Sequence, residues 1–83
     1  MAAICAAPSV VAELGLFEGR QATCHPDFES KMAGAKLIGG SVAIDGNIIT
    51  GQGLGATFAF ALTLVTELVG KEEAERIAKA ICL

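Results

Sequence analysis

Apolar and polar positions along this chain change period several times, and glycine or proline marks most of the changes. Ala2 to Cys5 is a short apolar run, the length of a strand end. Pro8 follows, and proline suits the first turn of a helix, where its missing N–H has no partner to lose. That helix carries Val10, Val11, Leu14 and Leu16, with Gly15 and Gly19 near its end. Gln21 to Cys24 reads as a second short strand. Pro26 opens a further short helix, Asp27 to Met32, with Asp27 and Glu29 at its positive end. Val42-Ala43-Ile44 and Asn47-Ile48-Ile49-Thr50 flank Asp45-Gly46, the strongest hairpin signal in the chain, because Asp-Gly supplies the positive φ angles of a type I′ turn. Gly51 to Gly55 is flexible punctuation. Ala56 to Val69 predicts a helix that is apolar nearly all round, its polar stripe reduced to Thr63, Thr66 and Glu67, and such a helix is buried on more than one side. Gly70 ends it. Lys71 to Leu83 predicts a last, amphipathic helix with Ala74, Ile77, Ala78 and Ile81 turned inward.

Strand–helix–strand–helix–hairpin–helix–helix is an α/β order, and it implies right-handed crossovers and a parallel sheet with helices on both faces. Composition adds a constraint. The 83 residues are 53% hydrophobic and 18% charged, which excludes a disordered chain. Mean hydropathy is +0.60. A unit this small buries only a modest part of its surface, so the excess of apolar residues predicts that something else covers the chain. The net charge of −3 provides no basic patch for nucleic acid. No stretch is long enough to span a membrane, and the N-terminus lacks the basic start and apolar run of a signal peptide. Cys5, Cys24 and Cys82 show no CxxC spacing and no disulfide framework, the usage of a reduced, cytoplasmic chain.

Candidate chemistry centres on Cys5, between a predicted strand and a predicted helix and flanked two residues away on each side by Ala3 and Ala7. Small-x-nucleophile-x-small is what a sharp strand-to-helix elbow requires, because larger side chains clash there. The following helix aims its amino end at the sulfur and favours the nucleophilic thiolate. The N–H groups of Ala6 and Ala7 are candidate oxyanion donors. A small buried apolar cysteine fits the same spacing. His25 is the only histidine. The two strands are expected to be parallel neighbours, so that Cys5 and His25 meet at their carboxyl ends, where α/β sites form, and His25 is a candidate proton carrier. A surface or capping histidine is the plainer alternative. Cys24 and His25 are poor metal ligands, since adjacent strand side chains point to opposite faces and no further ligands are suitably spaced. Gly51-x-Gly53-x-x-Ala56 matches a dinucleotide fingerprint in form only, because the acids that follow, Glu72, Glu73 and Glu75, lie in a helix and not at a strand end. Cys82 reads as packing.

Ala3-Ile4-Cys5-Ala6-Ala7-Pro8, Thr23-Cys24-His25-Pro26, Asp45-Gly46-Asn47-Ile48-Ile49-Thr50 and Gly53-x-Gly55-x-x-Phe58-x-Phe60-Ala61-Leu62, in that order, resemble the ThiJ/PfpI family, and its DJ-one-like subgroup in particular. The resemblance covers essentially the whole chain. It implies the C-terminal half of a flavodoxin-like, class I glutamine-amidotransferase-like sandwich, so that residues 1–83 form a partial domain. It also implies Cys5 as the elbow nucleophile, His25 as its neighbour, and the loop at Gly53 and Leu54 beside the active site and a dimer contact. The family's acidic partner of the cysteine has no counterpart here, so the chain alone is expected to be inactive. The implied parent is a glyoxalase or protein deglycase acting on a small carbonyl substrate or a modified protein, without metal or organic cofactor. A redox-sensing cysteine protein or holdase is the alternative, and cysteine peptidase and thiamine-precursor roles also occur as family labels. The partner that covers the apolar excess is then a second copy of the chain or the missing N-terminal half.

Overall fold

The computed structural model describes residues 1–83. Its centre is the predicted hairpin, β4 (Val42–Asp45) and β5 (Ile48–Gly51), paired antiparallel with Asp45 opposite Ile48. The loop is therefore Gly46-Asn47, one position later than the sequence indicates. Gly46 has φ +58° while Asn47 is not left-handed, which is the φ pattern of a type II′ turn and not of type I′. Asp45 is kept in the strand by its partners: its carboxylate accepts the Gln21 N–H at 2.7 Å, and its carbonyl accepts from the Arg20 guanidinium at 2.8 Å.

β1 (Ala2–Ile4) runs parallel to β5, with Ala3 opposite Thr50, so the sheet order is β1-β5-β4. β5 is the buried strand, from Ile48 to Gly51. The expected pairing of the first two strands is corrected. β2 (Gln21–Ala22) is shorter than predicted and pairs in parallel with β3 (Lys36–Leu37) in a separate two-stranded sheet. The chain beyond β2 is drawn instead to β5, where the fully buried Thr50 hydroxyl accepts the Thr23 N–H at 2.9 Å.

α1 (Ala7–Glu13) begins with Pro8 in its first turn, as predicted. Its buried face is Pro8, Ser9 and Ala12, whereas the apolar Val10, Leu14 and Leu16 are exposed. The reason is the helix end. Gly15 at φ +80° closes a Schellman turn, with Gly15 N–H on Ala12 O and Leu16 N–H on Val11 O. The reversal delivers Phe17 into the core, where it is fully buried with Ala12, Ala22, Cys24, Met32 and Ile48. Pro26–Lys31 forms a tighter 3-10 turn in place of the predicted helix.

α2 (Thr57–Val69) approaches the sheet at Gly51, where an added Cβ would lie 2.9 Å from both Ile4 and Phe60 side-chain atoms. The expectation of burial on several sides is not met within this chain. No residue of α2 is buried, and Phe58 and Leu68 are 60% and 80% exposed. α3 (Lys71–Ala80) and β5 lie against it, α3 through a face on which Ala74 is buried and Ile77 and Ala78 are half-buried, while Ile81 is exposed. No helix is long and apolar enough to cross a membrane.

Candidate active site at a cysteine-bearing turn

β1 and β5 run parallel, so both release the chain at the same end of the sheet: β1 into Cys5, β5 into Gln52 and Gly53. Cys5 has φ +66°, in the left-handed region. For a residue with a Cβ this costs about 1–2 kcal/mol, and it persists only where the surroundings over-determine it. Two hydrogen bonds do so here. Cys5 N–H donates to Gly51 O at 3.0 Å, extending the β1–β5 ladder, and Cys5 O accepts from His25 N–H at 2.8 Å. The second bond brings the two predicted residues together even though β1 and β2 are not paired. Cys5 is half-buried. Next to it the Ala6 carbonyl accepts from both the hydroxyl and the N–H of buried Ser9, at 2.7 and 3.0 Å, while the Ala6 N–H has no partner in the chain.

His25 caps the Pro26–Lys31 turn: its Nδ1 accepts the Asp27 N–H at 3.1 Å. The Asp27 carboxylate lies 3.8 Å from the same nitrogen. The Phe28 ring stands edge-on to the imidazole, 6.3 Å between centroids. The opposite side of the imidazole faces the glycine loop, with Cδ2 3.7 Å from where a Cβ on Gly53 would be.

Cys5, His25, Ser41, Gln52, Gly53 and Leu54 surround one open cleft of about 540 Å³. Gln52 N–H donates to Ser41 O at 2.8 Å and ties the rim together. Leu54 stands exposed at the edge, and Cys5 and His25 are the only titratable side chains lining the cleft. Cys24 faces away, its thiol donating to the His25 carbonyl at 3.3 Å, and burial, with Glu29 nearby, pushes that thiol up from its ordinary range. Cys82 is exposed beyond α3. Sequence reasoning missed Ser41, Gln52 and the Asp27 amide. None has a local signal, because each enters through the way loops meet and not through its own spacing.

The thiol is thus held in left-handed backbone at a strand-to-helix turn of an α/β protein, at the carboxyl end of a parallel strand pair and beside an oriented histidine. The chain belongs to the DJ-1/PfpI family, whose sequence profile matches residues 1–67. It is 46% identical over 79 residues to Protein DJ-1 homolog B of Arabidopsis thaliana, covering 93% of this chain and 18% of the relative. It is 39% identical to the glutathione-independent glyoxalase DJR-1.2 of Caenorhabditis elegans, covering 98% of this chain and 44% of that protein. The structure of oxidized DJ-1 of Toxoplasma gondii superposes with a TM-score of 0.90 at 34% identity, over 98% of this chain and 45% of that one. The fold is thus part of the family's flavodoxin-like domain, and the chain spans less than half the length of these relatives.

Proposed function

We propose that this chain is the nucleophile-bearing part of a cysteine-dependent enzyme of the glyoxalase or deglycase type, acting on small carbonyl compounds or carbonyl-modified proteins. The observation that supports this reading best is the left-handed Cys5, whose backbone is held by Gly51 and His25 on the wall of an open cleft. A strained nucleophile position is a feature that function explains and packing does not. In this reading the Cys5 sulfur bonds to the carbonyl carbon, and the carbonyl electron pair moves to oxygen. The Cys5 thiol proton passes to water in the open cleft, and the free Ala6 N–H, together with that of Ala7 and with a hydrogen bond from His25 added, stabilises the resulting oxyanion. No lysine or arginine lines the cleft, which suits an uncharged carbonyl group. Kinship with a protein named as a glutathione-independent glyoxalase supports the same chemistry.

The activity is tested by joining the chain to the leading part of a relative's domain and assaying methylglyoxal. Turnover is expected there and absent from the 83 residues alone. Cys5→Ser in the joined protein is expected to lower it by about three orders of magnitude or more, as for other nucleophile removals. Turnover that survives Cys5→Ser rejects the proposal. The oxidized form of the Toxoplasma gondii relative favours one second reading, a redox sensor in which Cys5 passes reversibly to sulfenic acid. Peroxide oxidation of Cys5, with no carbonyl turnover in the joined protein, would select it.

A further inference from the structure

We propose that the Asp27 amide fixes His25 as the tautomer protonated on Nε2, so that the imidazole offers the cleft a hydrogen-bond donor and not a base. This deepens the reading of the cleft as an active site and rests on it for its meaning, but its geometry stands apart from any reaction. A neutral imidazole has one protonated nitrogen and one lone pair. Here the lone pair is on Nδ1, because Asp27 N–H points at that atom from 3.1 Å. A proton on Nδ1 would set two N–H groups against each other. Turning the ring over would put a carbon in the place of Nδ1 and leave an orphan donor at the start of the Pro26–Lys31 turn. The ring edge toward the Gly53 loop is then Cδ2 and Nε2–H.

The consequence for chemistry is specific. In this state His25 has no free lone pair with which to take the thiol proton of Cys5. It can donate to an oxygen lying in the cleft, as a neutral imidazole that polarises a carbonyl does. Asp27 is accordingly a positioning residue, and it acts through its backbone N–H. Its carboxylate, 3.8 Å from Nδ1, is not what sets the tautomer.

The test uses the chain labelled with nitrogen-15 at alkaline pH, where the imidazole is neutral. The single histidine makes the ring signals unambiguous. Long-range proton–nitrogen correlation is expected to show the proton on Nε2. A coupling across the hydrogen bond should connect the Asp27 amide nitrogen with Nδ1, and acidification that protonates the ring should abolish it. Asp27→Asn, which keeps the N–H and removes the charge, should preserve both signatures. A proton on Nδ1, rapid exchange between tautomers without the coupling, or loss of both signatures in Asp27→Asn overturns the proposal. None of these readings needs turnover, so failure of the glyoxalase assay leaves this result standing, and the reverse holds too.

Discussion

Two cysteines hold left-handed backbone, Cys5 at φ +66° and Cys82 at φ +62°, for different reasons. Cys82 closes α3 with the bonds of a Schellman turn, Leu83 N–H on Ala78 O and Cys82 N–H on Lys79 O. Gly15 ends α1 with the same pattern, so only the side chain differs at this position. Cys82→Gly is expected to raise stability by about 0.5–1 kcal/mol, read as a higher urea midpoint. An unchanged or lower midpoint would show that the turn carries no strain. Cys5 has no such local reason, since its conformation is imposed by Gly51 and His25 from distant parts of the chain. Alkylation by iodoacetamide is expected to reach Cys5 well before Cys24, whose sulfur is covered and whose thiol is pushed up by burial. The elbow reading further requires Cys5 to react before exposed Cys82, and equal rates for those two would count against it. Cys5 was legible as a candidate because a sharp strand-to-helix turn demands small neighbours, and Ala3 and Ala7 meet that demand. The Ser9 hydroxyl on the Ala6 carbonyl and the capping role of His25 were not legible to the same degree. The first depends on which face of α1 is buried, and the second leaves no mark beyond a histidine before a proline.

At the scale of elements, the hairpin was the most legible feature and β3 the least. β4 and β5 announce themselves through β-branched residues around an Asp-Gly pair, whereas Lys36–Leu37 is two exposed residues whose pairing depends on β2 being close by. The buried face of α1 was not legible, because a seven-residue helix spans too few turns for its periodicity to outweigh Phe17 beyond its end. The hairpin end is tied to β2 through Asp45. The Gln21 N–H first, then the Arg20 guanidinium, hold its carboxyl below the usual range, with Lys36 adding to the effect. A depressed carboxyl contributes stability above its unfolded value of about 3.9, and that contribution is lost as pH falls through the lower folded value. The urea midpoint of the native chain should therefore exceed that of Asp45→Asn near neutral pH, and the gap should close on acidification below about pH 4. A gap constant across that range would mean that the ion pair and the Gln21 bond are not linked to folding.

For the molecule as a whole, the apolar excess seen in the composition has become a place. Leu54, Phe58, Leu68 and Val69 are 89%, 60%, 80% and 65% exposed. Around Leu64 and Leu68 an apolar cleft of about 570 Å³ opens toward Met1, Ala2 and Ile49, beside β1. β1 itself pairs on one side only, so its other edge presents unmatched N–H and C=O groups. Covering a large apolar side chain contributes roughly 1.5–3 kcal/mol. Several together match the roughly 4–15 kcal/mol that association costs in lost freedom, and strand pairing along β1 adds to the gain. We therefore expect these surfaces to be covered in the functional protein, by a further part of the domain, as the greater length of the relatives suits, or by a second copy of this chain. Left to itself at micromolar concentration, the chain should self-associate through α2 and the β1 edge. Sedimentation equilibrium is expected to give masses above the 8.4 kDa of one chain. Leu68→Glu, which places a charge within the apolar cleft while touching neither Cys5 nor His25, should move the distribution toward the monomer. A single 8.4 kDa species that unfolds cooperatively on heating would show that the exposed face of α2 is stable in water and that nothing need cover it.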